Sequence, residues 1–348
     1  MSGSEEKFEL EETQKLEGHT DRVWSVAWNP VAGTDGKPPI LASCSGDKTV
    51  RVWTQNPTTS AFYCMATIDE AHTRAVRSCS WSPSGHLLAV ASFDGTVSIW
   101  DEIETRFKLW YYLEGHKNEV KSVSWDASGA HVATCSRDKS VCIWRVVEKS
   151  EHERLAKLVK HTQDVKMVQW HSFKDILFSC SYDNTIKVWP RYSDYDWWYY
   201  AQTLNRANNG HSSTVWSISF NATGDKMITC SDDLSIKIWG PERMQTGHGY
   251  VPWKHLQTIS GNHDRTIFSV HWSSEGVIAS GAAVDAICLF EENRDSLESE
   301  ATYKLLLKKE KAHETDVNSV QWSPKGIGLL ASSGDDGTVK IWKLTSHQ

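Results

Sequence analysis

One pattern recurs seven times along the chain: a histidine, a strand of the form Val-x-x-Val-x-Trp, a turn aspartate, and a strand ending in Trp or Phe. The histidines are His19, His72, His116, His161, His211, His263 and His313; the closing aromatics are Trp53, Trp100, Trp144, Trp189, Trp239, Phe290 and Trp342. Consecutive histidines stand 44 to 53 residues apart, a period that marks a repeated supersecondary unit. Each unit reads as four short strands. In the third they run Val120 to Trp125, His131 to Ser136, Ser140 to Trp144, and around Leu155 to Val159. A small sheet of this kind cannot bury both faces alone, so seven of them must stack around a channel, each covering its neighbours.

The expected fold is all-β, a seven-bladed WD40 β-propeller forming a single domain over residues 1–348. Its blades are expected at approximately 13–60, 61–108, 109–156, 157–204, 205–256, 257–306, and 307–348 plus 7–16. After Trp342 only Lys343 to Gln348 remain, too few for a fourth strand and its turn. The segment Phe8 to Leu16 precedes the first histidine and has no other blade to join. It should therefore pair with the strand ending at Trp342, so that the N-terminal strand closes blade seven and removes an exposed sheet edge. Of 18 Trp, most recur in the first strand (a) or third strand (c) of a blade, as Trp28, Trp81 and Trp125 do. Trp24, Trp110, Trp197, Trp198, Trp216 and Trp253 stand outside those positions.

A net charge of -7 argues against a broad nucleic-acid footprint, which needs clustered Lys and Arg. Met1 to Leu10 is polar and acidic, and no apolar run is long enough to span a bilayer. The expectation is a soluble, cytoplasmic protein, with the nucleus as a further location, and without membrane or nucleic-acid partners. Cys44, Cys135, Cys180 and Cys230 each precede a turn aspartate by three residues. As one position per blade, they should lie far apart and serve as small apolar fillers, with no metal, cluster or other cofactor held by this chain.

Histidine, hydroxyl and aspartate together invite a nucleophilic-triad reading. The same set recurs around the ring, however, whereas an enzyme needs one accessible activated nucleophile, so no enzyme is expected. Structural roles follow for His19, Asp47 and Trp53, for His116, Asp138 and Trp144, and for His161, Asp183 and Trp189. Each histidine should bridge the turn aspartate to a strand hydroxyl and the indole N–H. Val90 replaces the hydroxyl residue in blade two. In blade six, Phe290 replaces Trp, Asn262 precedes the histidine, and Gly281 to Val284 shift the register before Asp285. Blade six should be the loosest in hydrogen bonding.

Immediately past the first Val or Ile of strand a stand Trp24, Arg77, Lys121, Lys166, Trp216, Phe268 and Asn318, which should ring the channel mouth. Residues just before the turn aspartates, including Phe93, Arg137 and Tyr182, belong to the same face. Blades two to four are then basic through Arg77, Lys121, Arg137 and Lys166; blades five, six and one are aromatic through Trp216, Phe268 and Trp24. Such a face suits a peptide with a carboxylate and an apolar anchor. The competing reading is that these cations and rings merely stack on one another. On the opposite face, Pro190 to Asp196, Gly240 to Pro252 and Glu291 to Ala301 read as loops. Trp197 to Tyr200, placed on the outermost strand of blade four, is a candidate partner edge; Trp110 to Tyr112 is a similar case.

The stretches Ser136-Arg137-Asp138-Lys139-Ser140-Val141 and Thr162-Gln163-Asp164-Val165-Lys166, with Glu114 to Val123, His211 to Ser217 and Arg265-Thr266-Ile267, resemble the WD40 protein of the cytosolic iron-sulfur assembly machinery. The resemblance covers all seven blades. It implies a non-catalytic scaffold of the targeting complex that mediates cluster insertion into cytosolic and nuclear apoproteins. The implied partners are a MIP18-type subunit, a HEAT-repeat subunit, an iron-only-hydrogenase-like cluster carrier and client apoproteins. Some clients of that machinery end in an aromatic C-terminal residue, which a basic and aromatic rim would suit. Arg137 matches the family motif and is the first candidate contact. Two stretches depart from the family: Val188-Trp189-Pro190-Arg191 stands where some animal members carry Leu-Tyr-Arg, and Val31 to Pro39 is longer than the usual hairpin. The alternative is a ubiquitin-ligase substrate receptor or a histone-tail or peptide reader. A methyl-lysine reader would place acidic groups at the mouth, and a ligase receptor would carry an adaptor-binding extension.

Overall fold

The second strand of each repeat is a nearly continuous buried run, such as Val132-Ala133-Thr134-Cys135 and Leu177-Phe178-Ser179-Cys180. A sheet sandwiched between two others must withdraw both faces from water, so its central strands lose the usual polar alternation. In the computed structural model, which describes residues 7–33, 36–103, 106–147, 152–192, 195–242, 250–293 and 301–347, the strands form seven four-stranded antiparallel sheets. The first contains Val23–Trp28, Ile40–Ser45, Val50–Gln55 and Phe62–Ile68, ordered from the channel outward. Among the described residues the only helix is a 3-10 turn, Arg206–Asn208. The outer strands Phe62–Ile68 and Arg106–Glu114 pair within blades one and two. The expected blade boundaries near residues 60 and 108 therefore shift outward by a few residues.

Blade seven is built from both ends of the chain. Lys7–Leu16 lies antiparallel to Val339–His347, with Glu12 opposite Trp342 and Leu16 opposite Val339. Leu10 and Leu16 are buried, one joining the core between blades six and seven and the other the core between blades seven and one. The Gln14 amide then ties this strand to the outer strand of blade one, donating to the Phe62 carbonyl (2.8 Å) and accepting from its N–H (2.7 Å). Gln202 and Gln257 make the same clamp onto Trp253 and Tyr303 of the next blade. The strand a indoles bridge blades from the inside: Trp28, Trp81, Trp125 and Trp170 donate to carbonyls of Gln321, Ala27, Ser80 and Ser124.

Two expectations about the aromatic runs change. Trp197 to Tyr200 precede the outer strand of blade four, which is Gln202–Leu204. Only an isolated bridge joins Trp198 to Arg191. Without a regular pleat the side chains do not alternate strictly: Trp198 is buried against Trp170 and His131, while Trp197 is 66% exposed. Trp110 to Tyr112 do lie on a strand but are occupied: Trp110 bonds Asp101, Tyr111 stacks on His152, and Tyr112 donates to the Ala71 carbonyl. The middles of the expected loops, at residues 193–194, 243–249 and 294–300, lie outside the described residues, as do residues 34–35 of the Val31 to Pro39 stretch and residues 1–6.

Candidate protein-interaction face at the channel mouth

The repeated histidine is a buried connector. In blade three the His116 ring nitrogens meet Asp138 (3.0 Å) and Thr134 (2.8 Å), and the Trp144 indole donates to the same Thr134 hydroxyl (2.9 Å). The tautomer with its proton on Nδ1 satisfies every group: Nδ1–H donates to the carboxylate, and the hydroxyl donates to Nε2 while accepting from the indole. Asp138 also accepts from the N–H groups of Lys117 and Ser140 and from the Ser140 hydroxyl. Blades one, four, five and seven repeat this set through His19, His161, His211 and His313. Thr134 and its counterparts Ser43, Ser179, Thr229 and Ser332 have no exposed surface, so their hydroxyls are closed to a substrate.

Where the repeat breaks, the structure compensates once and fails once. In blade two Val90 carries no hydroxyl, but Ser98, directly opposite it on strand c, accepts from Trp100 and meets His72 Nε2 at 2.8 Å. In blade six His263 keeps Ser280 (2.7 Å), but its buried Nδ1 has no partner among the described residues. Burial and the nearby Lys308 push its pKa down to about 4. The carbonyl of Asp285 is taken by Ala312 of the next connection, and the preceding Val284 is held at φ 121°. A branched residue is strained in that region, whereas glycine is not. Val284→Gly is therefore expected to stabilise the protein by about 1 kcal/mol, net of the entropy glycine adds to the unfolded chain; equal denaturation midpoints for variant and parent would contradict it.

The channel residues owe their position to a bulge repeated in every blade. Pairing between strands a and b skips the residue after the first Val or Ile, for example between Val120 and Ser122 and between Val165 and Met167. The same skip occurs in the other five blades. An extra unpaired residue re-aims its side chain, and all seven skipped residues line a central cavity of about 560 Å³: Trp24, Arg77, Lys121, Lys166, Trp216, Phe268 and Asn318. Arg137 and Tyr182 are not brought into the channel. They stand exposed on the rim, on turns between strands b and c.

The cations and rings do stack. Arg77 lies over Trp24 at 5.0 Å, Lys121 over Phe93 at 4.1 Å, and Lys166 over Trp216 at 4.7 Å and Tyr182 at 5.3 Å. Phe268 closes edge-on against Trp216, whose indole donates to Asp232. Burial lowers the pKa of Lys121, with the Glu119 bond opposing and the Arg77 charge reinforcing that shift; burial also lowers Lys166. Arg77 has no hydrogen-bond or carboxylate partner among the described residues. Two residues of this sector escaped the sequence reading: Glu119, 8% exposed, and Arg74, which donates to it at 2.7 Å. The signal for the first was present in Glu119-Val120-Lys121, which sets a carboxylate two residues before the cation, as Asp164-Val165-Lys166 does in the next blade.

The four repeat cysteines sit in four separate inter-blade cores. Cys44 and Cys79, from blades one and two, share one buried core, where the Cys44 sulfur and burial push the Cys79 thiol up. Burial pushes the Cys135, Cys180 and Cys230 thiols up. All described thiols are free, and among the described residues no group of three or more His, Cys, Asp or Glu is placed to hold a metal ion.

The family model described as "WD domain, G-beta repeat" matches residues 10–54, 62–101, 107–145, 152–190, 202–240 and 304–343. The stretch left between the last two matches holds most of blade six, with its Phe290 and unpaired His263. "Protein CIA1" of Arabidopsis thaliana is 62% identical over 350 residues, covering 99% of each chain. "Probable cytosolic iron-sulfur protein assembly protein Ciao1" of Culex quinquefasciatus is 44% identical, covering 96% of this chain and 98% of its own. A Chlamydomonas reinhardtii protein, named as a probable cytosolic iron-sulfur protein assembly protein and homologue of CIAO1, is 43% identical, covering 97% and 99%.

Proposed function

Because this chain belongs to the WD-repeat family, and within it to the cytosolic iron-sulfur protein assembly proteins, we propose that it is a non-catalytic scaffold on which that assembly machinery meets its apoproteins. The cluster is cargo in this reading, passed between partners that the propeller holds. One observation carries it: bulged residues gather cations and aromatic rings at one channel mouth, with Arg77 lacking an anionic partner among the described residues. Preorganised guanidinium and ammonium groups beside rings recognise carboxylate-bearing, partly apolar peptide segments. The buried hydroxyls of the His-Asp sets support the non-catalytic part. The proposed partners are the MIP18-type and HEAT-repeat subunits, the iron-only-hydrogenase-like carrier and client apoproteins, met in the cytosol and, for some clients, the nucleus.

Arg137 gives a clean test because its side chain is 55% exposed and only 3.7 Å from Glu119, so charge reversal leaves the core untouched. Tagged wild type and Arg137→Glu are recovered from cytosol and their bound proteins identified by mass spectrometry. The expected result is iron-sulfur assembly subunits on the wild type, with at least one partner or client class depleted about tenfold on the variant. Ligase or chromatin subunits on the wild type would overturn the scaffold assignment. An unchanged partner set on a folded variant would move the binding surface away from Arg137.

A further inference from the structure

Blades two to four bring together two half-exposed guanidiniums on the rim, Arg74 and Arg137, and three cations in the channel wall, Arg77, Lys121 and Lys166. Their carboxylates are shared unevenly. Asp164 stands 3.8 Å from Lys166, whereas Glu119 serves three cations. Its Oε1 accepts from Arg74 (2.7 Å), its Oε2 accepts from Lys121 (2.6 Å), and Arg137 stands 3.7 Å from Oε1. The Glu119 side chain is 11% exposed, against 54% for Arg74 and 55% for Arg137. A sunken carboxylate thus tethers the guanidiniums that an incoming partner would meet first. Burial opposes its charge, but the bonds from Lys121 and Arg74 outweigh that and keep it ionised.

A carboxylate from another molecule would seek the same donors and would meet the repulsion of Glu119 as it approached them. We infer that Glu119 is a specificity-determining residue, an internal competitor that weakens the basic sector for acidic peptide segments in general and so reserves it for segments that also engage Arg77 and the aromatic wall. The inference rests on the reading of this sector as a partner-binding surface. It explains why a rim with so many cations is wired to one buried carboxylate rather than left open.

The test is fluorescence anisotropy with a fluorescein-labelled oligoglutamate peptide, at low and at raised salt, on full-length protein whose folding is checked by thermal melting. Glu119→Gln keeps the size and an acceptor oxygen but removes the charge; it is expected to bind the peptide about tenfold more tightly than wild type at low salt, with a steeper salt dependence. Glu119→Asp keeps the charge but withdraws it from the rim, and should gain about threefold. Should the Gln variant fail to fold, the Asp variant decides alone. Binding by wild type with no gain in either folded variant would overturn the inference and leave the partner-binding reading standing. No binding by any of the three at low salt would overturn that reading, and the inference with it.

Discussion

Deleting residues 1–16 is expected to lower the melting temperature by about 5–8 °C, corresponding to a loss of roughly 4–6 kcal/mol in a chain of this size. The deleted strand pairs along Val339–His347 from Lys7 to Leu16, fills two inter-blade cores with Leu10 and Leu16, and clamps blade one through Gln14. Fully burying a leucine stabilises by about 2 kcal/mol, and stripping the strand also leaves the last sheet with an open edge, which invites aggregation. The measurement is differential scanning calorimetry with light scattering. An unchanged melting temperature would mean that the ring closes without this strand.

The second large effect lies in the His-Asp sets. Asp138→Ala removes the acceptor for His116, for the N–H groups of Lys117 and Ser140, and for the Ser140 hydroxyl, in a site where the His116 side chain is 2% exposed. Removing the carboxylate that these four donors share costs about 3–5 kcal/mol, because the donors stay desolvated. The loss should appear in the denaturation midpoint. A loss under about 1 kcal/mol would show that water replaces the carboxylate. Burial opposes ionisation of Asp47, Asp94, Asp138, Asp183, Asp233 and Asp336, yet hydrogen bonds from histidine, hydroxyl and backbone donors hold all six far below the ordinary aspartate value. Their contribution to stability is therefore full above the unfolded aspartate pKa, about 4, and is lost progressively as pH falls below it toward the folded values. Acid should destabilise the wild type more steeply than Asp138→Ala, which has one such group fewer.

The ring, its number of blades and the closing strand were legible because they follow from a repeat and from chain arithmetic. His116, Asp138 and Trp144 recur at fixed spacing, and one strand was missing at the end of the chain but present at its start. The compensation by Ser98 was not legible, because it depends on the Val90–Ser98 pairing across two strands. The amide clamps of Gln14, Gln202 and Gln257 join residues about fifty positions apart that carry no motif. Trp197 to Tyr200 misled for a related reason: alternation holds on a regular strand, and that stretch forms only an isolated bridge before the short strand Gln202–Leu204.

At the channel mouth the sequence named the residues through the bulge position, which is a local property of each repeat. It did not reveal that Arg74 of blade two and Lys121 of blade three share the carboxylate of Glu119, or that Arg77 has none among the described residues. By itself the sequence determined what each blade contains, since strand propensity, turn chemistry and the His-Asp-Trp spacing act within one repeat. Only the tertiary structure decided how charges pair between blades, because Coulomb and hydrogen-bond energies depend on distances set when the wedges close around the channel.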